Sequence, residues 1–301
     1  MSKMKVDLPF YLDYGPVSCW GFSSVGASHL EENLPCQDRC KVVMSTGKYN
    51  MIIAAMADGL GSCDLSHYGA DYAVETATTY LKNELDTYMK DEEYTDENLL
   101  KLLNHAMQEA KDAVSKKAED MEQLEYLFQS TLTIALYNSY KLYIAHCGDG
   151  GVIVLKDDGT LSLVSQRNKG NTVVSVTPLQ AGSEFWQIFK VEGNVNAIIM
   201  ATDGVLDGFV GKDADYNRIY YPFIQPALES DTSSSEIAAY YYRYLNSESY
   251  CQHVTDDKTL MVIANQKELK HGEKYTFDEK GWNQETKQLQ KEKRRKLFNF
   301  L

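Results

Sequence analysis

Aspartates placed directly beside apolar segments are the residues of this sequence with the clearest chemical potential. Asp58 follows the apolar residues 51–57 and precedes Gly59 and Gly61. A carboxylate at the end of a buried strand is costly unless it is paired or holds a metal ion, and glycines let the backbone come close to whatever that carboxylate binds. An Asp-Gly turn is also a common loop feature, so this segment alone leaves both interpretations open.

The same pattern recurs at three other places in the chain. Residues 197–201 lead into Asp203, residues 142–147 lead into Asp149, and Asp256 precedes the apolar residues 259–263. Such strand ends can converge on one point of a sheet, and hard cations such as magnesium or manganese prefer oxygen ligands of this kind. The sequence therefore predicts a metal site lined by carboxylates.

Composition limits the classes of protein that the chain can be. Its 301 residues suffice for one large domain or two small ones. The formal net charge of -13 makes nucleic acid an unexpected partner. No apolar segment approaches membrane-spanning length, the N-terminus lacks a signal core, and the six cysteines form no Cys-x-x-Cys pair. We expect a soluble cytoplasmic protein with reduced thiols.

The remaining patterns predict the elements that would position these aspartates. Residues 17–28 resemble a strand, and residues 28–38 are expected to form a loop. Residues 40–44 and 51–57 are expected to form a hairpin-like pair of strands, which places Asp38 and Asp58 in one layer. Helical spacing follows from Ser66, and Thr95 resembles the N-cap of a second helix. Strands return at Ser130, and another helix is expected after residue 232. This order favours a mixed, largely antiparallel α+β layered fold.

Five short motifs, quoted in chain order, match the pattern of a known family. They are Pro35-Cys36-Gln37-Asp38, Ala57-Asp58-Gly59-Leu60-Gly61, Gly148-Asp149, Thr202-Asp203-Gly204-Val205-Leu206-Asp207, and Asp256-Asp257-Lys258-Thr259. Over about residues 17–264 the chain resembles the protein phosphatase 2C family of metal-dependent serine/threonine phosphatases, in particular its compact bacterial branch. The resemblance implies an αββα four-layer sandwich of two antiparallel sheets flanked by helices. It also implies a catalytic domain over residues 1–265, followed by a charged tail or docking helix over residues 266–301.

The resemblance further implies a set of metal ligands. Two Mn²⁺ or Mg²⁺ ions are expected, with a third, looser ion in many members. Asp58 would bridge the two ions, and the carbonyl group of Gly59 would complete the ligands of one of them. Asp203 and Asp256 would bind the other ion of the pair, and Asp38 would act through metal-bound water. Asp149 and Asp207 would hold the third ion. Residues 166–187 occupy the place of a mobile flap over the substrate.

The reaction implied by this resemblance is hydrolysis of phosphoserine and phosphothreonine on proteins. A hydroxide between the two ions would attack phosphorus, and the leaving oxygen would be neutralised by a proton. Asp38, Asp58, Asp203 and Asp256 would form the catalytic set. Phosphoproteins are the expected substrates, and a cognate serine/threonine kinase is an expected partner.

Four positions depart from the pattern of the family. Asn33 stands where eukaryotic members usually have a phosphate-binding Arg, and Gln37 where they have Glu before the Asp. Leu60 stands where a proton-donating His is frequent, and Asp257 where Asn is frequent. Because the main metal carboxylates remain, we expect an active enzyme with a weaker intrinsic affinity for phosphate. His29 is a candidate neighbour of the phosphate or an incidental loop residue, and Arg39 is expected to point away from the site.

Two other functions are compatible with the sequence. The departures at Asn33 and Leu60 would also suit a catalytically weak or inactive phosphatase-like module that binds or senses a partner. A metal-dependent hydrolase of small phosphate esters or nucleotides is the other alternative. In the tail, residues 287–296 hold six basic residues and one acid, which indicates a solvated or docking helix, or a patch for an acidic partner or membrane surface.

Overall fold

Two antiparallel sheets form the centre of the molecule in a computed structural model, which describes residues 9–46, 50–88, 94–167, 176–209, 217–228 and 233–273. The strands are β1 Phe10–Tyr14, β2 Val17–Ser24, β3 Arg39–Met44, β4 Ile52–Ala57, β5 Leu132–Tyr137, β6 Leu142–Cys147, β7 Gly151–Lys156, β8 Leu161–Leu163, β9 Gln187–Lys190, β10 Val195–Ala201 and β11 Lys258–Asn265. One sheet has the strand order β1-β2-β11-β10-β7-β8, and the other has the order β3-β4-β5-β6-β9.

Helices lie on the outer faces of the sheets and at their ends. They are α1 Ala27–Glu32, α2 Ser66–Asn83, α3 Asp96–Asp120, α4 Asp203–Phe209, α5 Asn217–Ile219, α6 Ser234–Leu245, α7 Glu248–Cys251 and α8 Gln266–His271. Short 3₁₀ or π segments occur at Glu84–Tyr88, Glu125–Phe128, Leu179–Ala181, Ser183–Phe185, Tyr220–Ile224 and Gln225–Leu228.

The central strands are apolar throughout because both of their faces are buried. In β4, Ile53 and Ala55 pack towards the helices α2 and α3, whereas Ala54 and Met56 pack against the six-stranded sheet. Alternate residues of a strand point to opposite faces, so an uninterrupted apolar run is what a strand between two layers requires. The layer between the sheets holds its own core, which includes Ile198 of β10.

The helices complete a four-layer αββα sandwich, which confirms the expected fold. Helices α2 and α3 cover the five-stranded sheet through a stripe of buried residues that includes Ala73 and Leu103. The Oγ1 atom of Thr95 accepts a hydrogen bond from Asn98 N at 3.2 Å, so Thr95 is the N-cap of α3 as predicted. On the other side, α6 packs on the six-stranded sheet, where Tyr241 stacks on Trp20 with ring centroids 5.4 Å apart.

One local expectation was wrong. Residues 28–38 were expected to form a loop, but the short helix α1 covers Ala27–Glu32. None of the six residues of α1 is buried, so no apolar periodicity marks this helix in the sequence. The chain leaves α1 through Asn33, whose φ of 58° lies in the left-handed region.

The C-terminal part of the described chain packs onto the sandwich. Helix α8 contacts β10 and β11, and its Leu269 is buried. The basic residues 287–296 lie outside the described residues. Across the described part of the chain, no helix combines the length and the apolar character that crossing a bilayer requires.

Candidate metal centre

Five strand ends bring aspartates to one rim of the sandwich. Asp38 precedes β3 and Asp58 follows β4, and because these strands pair antiparallel with Arg39 opposite Ala57, the two carboxylates lie at the same edge. Asp149 follows β6, which runs in the same direction as β4 because β5 pairs antiparallel with both. In the other sheet, Asp203 follows β10 and Asp256 precedes its antiparallel partner β11. Both sheets therefore supply carboxylates to one place, as the sequence predicts.

The carboxylates meet within ligand distance of a single ion. One oxygen atom from each of Asp58, Asp149 and Asp203 lies within 4.8 Å of the corresponding oxygen atoms of the other two. A cavity of about 530 Å³ opens onto this cluster, and Asp207 and Asp256 also line it. The structure thus brings five of the predicted carboxylates to one cavity.

Asp38 lies deeper than the others and is held by the opposite sheet. Its side chain is buried, and its Oδ2 accepts a hydrogen bond from Thr202 Oγ1 at 2.8 Å. The same Thr202 Oγ1 accepts a hydrogen bond from Thr259 N at 3.0 Å. Thr202 therefore ties the Asp38 carboxylate of one sheet to both β10 and β11 of the other.

The backbone around Gly59 joins the same corner of the site. Gly59 N donates to Gln37 O at 3.1 Å, and Asp58 N donates to Thr131 Oγ1 at 2.8 Å. Gly59 lines the cavity, as its predicted role as a carbonyl ligand requires. A Cβ atom on Gly59 would come within 2.8 Å of Ser66 at the start of α2, so the close approach of these segments favours glycine here.

The carboxyl groups of the cluster have raised pKa values, as expected for closely spaced, buried carboxyl groups. Burial, followed by the negative charge of Asp257, raises the pKa of Asp38 well above its usual range. Burial and the charges of Asp38 and Asp203 do the same to the pKa of Asp58, and burial with the charge of Asp256 raises the pKa of Asp203. Divalent cations would reverse these shifts by favouring the ionised carboxylates.

The donor set fits magnesium or manganese. The clustered donors are carboxylate oxygens, which hard cations prefer. In addition, the Oδ1 atom of Asp38 is buried with no hydrogen-bond partner among the described residues, although buried polar atoms are normally paired. Asp58, Asp149, Asp203 and Asp256 could hold the ions, with Asp38 behind them.

The outer side of the cluster carries an arginine that sequence reasoning missed. Arg167 Nη1 lies 2.6 Å from Asp207 Oδ1, and Arg167 Nε donates to the carbonyl oxygen of Asp149. The Asp207 side chain is 52% exposed, in contrast to the buried Asp38. Residues 168–175 of the expected flap lie outside the described residues, and a single cation at the start of this polar segment has no sequence signal of its own.

The positions that depart from the family pattern have distinct surroundings. Asn33 is exposed at the end of α1, and Leu60 lines the cavity. Arg39 donates from Nε to Asp71 Oδ1 at 3.2 Å and from Nη1 to the carbonyl oxygen of Asp38 at 3.0 Å, so its side chain is directed to α2, in agreement with the expectation. Asp257 lies beside His29, the candidate neighbour of the phosphate, with His29 Nδ1 3.0 Å from Asp257 Oδ1.

An αββα sandwich with carboxylates from both sheets at one rim supplies the oxygen donors that divalent metal ions prefer. The family model described as protein phosphatase 2C matches residues 25–240 of the chain. Serine/threonine-protein phosphatase 3 of Escherichia coli (strain K12) is 25% identical over 252 residues, which cover 80% of this chain and 95% of that protein. The chain therefore belongs to the protein phosphatase 2C family.

Solved structures share the same fold at lower identity. The catalytic domain of the serine/threonine phosphatase PstP, solved with two manganese ions, superposes with a TM-score of 0.56 at 18% identity, covering 82% of this chain and 97% of that chain. Serine/threonine phosphatase Stp1 from Staphylococcus aureus superposes with a TM-score of 0.56 at 13% identity, covering 88% and 99% of the two chains.

Proposed function

We propose that this protein is a metal-dependent phosphatase that hydrolyses phosphoserine and phosphothreonine on proteins. The observation that carries the proposal is the approach of the Asp58, Asp149 and Asp203 oxygens to within 4.8 Å of one another at the floor of an open cavity. Membership of the family supports the same reaction. Phosphoprotein substrates also agree with the Escherichia coli relative, which is named a serine/threonine-protein phosphatase.

The resemblance to the family suggests the role of each residue, and the clustering of Asp58, Asp149 and Asp203 supports it. Asp58, Asp203 and Asp256 would hold two divalent ions together with the carbonyl group of Gly59, and Asp149 and Asp207 would hold a third. Ions bound there would activate water for attack on phosphorus and neutralise the phosphoryl oxygens. Asp38, fixed by Thr202, would orient water at the inner side of the cluster. Manganese and magnesium both suit these ligands, and the solved PstP catalytic domain contains manganese.

A cysteine nucleophile is disfavoured by the state of Cys36, whose Sγ lies 3.5 Å from the carbonyl oxygen of Asp38. Burial, with the charges of Asp257 and Asp38, raises the pKa of Cys36 well above its usual range. The reactive form of cysteine is the thiolate, so Cys36 is a poor nucleophile at neutral pH. Attack by water activated at the carboxylate cluster remains the better supported reaction.

The proposal also includes a cognate kinase and a cytoplasmic location. Removal of phosphate from serine and threonine presupposes a serine/threonine kinase that adds it, so we expect a cognate kinase to act on the same phosphoproteins. A cytoplasmic location suits the six cysteines, all of which are free thiols.

Hydrolysis of a phosphothreonine peptide tests the proposal. Purified protein would be assayed with manganese, with magnesium and with a chelator, and p-nitrophenyl phosphate and a nucleotide would be compared as substrates. We expect metal-dependent release of phosphate from the peptide, and a loss of more than about 100-fold in Asp58→Asn and Asp203→Asn, since even partners of metal ligands typically contribute 10–100-fold.

A matched control makes the same chemical change away from the site. Asp158→Asn alters an exposed aspartate in the β7–β8 turn and should leave activity unchanged. If wild type released no phosphate with either metal but still bound the phosphopeptide, the binding-module alternative would replace the catalytic one. Hydrolysis of the nucleotide alone would favour the small-ester alternative.

A further inference from the structure

Asp257 makes contacts that differ from those of its neighbour Asp256. Its side chain is 3% exposed, and its two oxygens are each taken by a backbone donor. Oδ1 accepts a hydrogen bond from Gly26 N at 2.6 Å, and Oδ2 accepts one from Gln37 N at 2.5 Å. Each oxygen of Asp257 thus accepts a backbone hydrogen bond, which places this carboxylate to hold the backbone together at the edge of the cavity.

His29 lies against the same carboxylate. Its Nδ1 lies 3.0 Å from Asp257 Oδ1, and its side chain is 14% exposed. The ring is not aligned for a hydrogen bond to this oxygen, so the observed contact is one of distance, and a rotation of the ring would let an Nδ1 that carries hydrogen donate to the carboxylate. Asp257 thus joins α1, the segment before β3 and the segment before β11.

The segments joined by Asp257 carry metal-centre carboxylates from different sheets. Gln37 is the neighbour of Asp38, and its carbonyl oxygen accepts the hydrogen bond from Gly59 N. Asp256 precedes Asp257 in the chain and lines the cavity. The Asp257 carboxylate is therefore a direct connection between the inner corner formed by Asp38 and Gly59 and the opposite sheet that supplies Asp256.

A carboxylate performs this task better than the amide that is frequent in the family. An asparagine side chain has one oxygen acceptor and one NH₂ donor. In place of Asp257, its NH₂ group would face the N–H group of Gly26 or of Gln37, and one backbone donor would lose its partner. A buried donor without a partner is destabilising, and the local structure would relieve this by moving one of the two segments.

We infer that Asp257 and His29 form a positioning pair, which sets the spacing between the carboxylates of the two sheets. Asp257 acts through the backbone of Gln37 and Gly26, and His29 acts through Asp257. This pair would control the geometry of the same metal centre, so the inference rests on the proposed function. Its primary readout is metal affinity, which does not depend on the identity of the substrate.

Titration of the full-length protein with manganese, measured by isothermal titration calorimetry, tests whether the pair positions the metal ligands. We expect Asp257→Asn to weaken manganese binding about 10–100-fold, as loss of a residue that orients metal ligands typically does, without changing the number of ions bound. The turnover number should fall, the KM for the phosphopeptide should change little, and excess manganese should restore part of the activity.

Variants of His29 keep the test decisive even if Asp257→Asn does not fold. His29→Ala should weaken manganese binding less than Asp257→Asn, and His29→Asn, which retains a donor near the Nδ1 position, should lie closer to wild type. In a double-mutant cycle, His29→Ala should have little further effect in the Asp257→Asn background, because His29 acts through that carboxylate.

Asp86→Asn is the matched control. Asp86 also accepts from a backbone N–H group, that of Thr46 at 2.7 Å, and from Ser45 Oγ at 2.9 Å, but it does not line the cavity. This variant should bind manganese as wild type does. Unchanged manganese affinity in Asp257→Asn, unchanged affinity in His29→Ala, or loss of one bound ion in Asp257→Asn would each overturn the inference. A wild type that bound manganese without hydrolysing phosphopeptide would instead count against the proposed function alone.

Discussion

The metal centre has an inner side, formed by Asp38 and Asp58, and an outer side, formed by Asp207. The two sides neutralise their carboxylates in different ways. On the inner side, Asp38 is 1% exposed and contributes a carboxylate whose ionised form is disfavoured by burial. On the outer side, the Asp207 side chain is 52% exposed and already has a cation of the chain itself, Arg167, at 2.6 Å. The inner side therefore depends on an added cation, whereas the outer side is partly neutralised without one.

The difference has a structural cause. The inner carboxylates come from strand ends that the two sheets fix, with hydrogen bonds such as that from Thr202 to Asp38. Asp207 lies on the short helix α4, and its partner Arg167 immediately precedes residues 168–175, which lie outside the described residues. We expect the inner side to govern tight metal binding and catalysis, and the outer side to adjust a weaker site.

The largest expected effect is on the stability of the metal-free protein. Burial raises the pKa of Asp58 in the folded state. A carboxyl group of this kind binds its proton more tightly when folded, so its contribution to the free energy of unfolding falls as pH rises from the unfolded pKa near 3.9 through the raised folded pKa. Asn carries no charge and avoids this loss.

Asp58→Asn should therefore be inactive and yet more stable than wild type at pH 8 in chelator. The gain should grow between pH 4 and pH 8, as the pH rises from the unfolded pKa towards the raised folded pKa. Thermal unfolding from pH 4 to pH 8, with chelator and with manganese, measures it, and manganese should stabilise wild type far more than the variant. A variant that lost stability at pH 8 in chelator would contradict this view of the inner side.

A smaller effect is expected from the hydrogen bond that orients Asp38. Thr202→Val keeps the shape of the side chain but removes the donor to Asp38 and the acceptor for Thr259 N. We expect manganese affinity and turnover to fall about tenfold, at the lower end of the range for residues that orient metal ligands. Thr202→Ser keeps the hydroxyl group and should remain close to wild type, and a loss in Thr202→Ser as large as that in Thr202→Val would contradict the assignment of the effect to the hydroxyl group.

The inner side is also the part of the site that the sequence predicts well. Apolar segments such as residues 51–57 and 197–201 mark strands buried on both faces, and an aspartate directly after such a segment must lie at a rim. Antiparallel pairing of β3 with β4, and of β10 with β11, then places the marked residues at one edge. Strand periodicity and pairing together account for most of the metal centre.

Features set by individual side-chain contacts were not predictable in the same way. Asp256 and Asp257 are adjacent identical residues that both line the cavity, but Asp257 also accepts hydrogen bonds from the backbone of Gly26 and Gln37. Nothing in their local sequence distinguishes these tasks, because the donors come from residues more than 200 positions away. The contact of Arg167 with Asp207 likewise depends on how a polar segment returns to the site.

The smallest expected effect concerns the outer side, where Arg167 and a third ion would compete for Asp207. Arg167→Ala removes the guanidinium group from Asp207 Oδ1 and from the carbonyl oxygen of Asp149. An ion pair with an exposed partner contributes about 0.2–1 kcal/mol, so we expect the weakest manganese site to tighten by no more than about fivefold.

Electron paramagnetic resonance of free manganese during titration would resolve this site from the tighter ones. The affinities of the tighter sites should be unchanged in Arg167→Ala, and Arg167→Lys, which keeps the charge, should resemble wild type. If Arg167→Ala weakened the tighter sites as strongly as Thr202→Val does, Arg167 would belong functionally to the inner side, and the two sides would form one electrostatic unit rather than two.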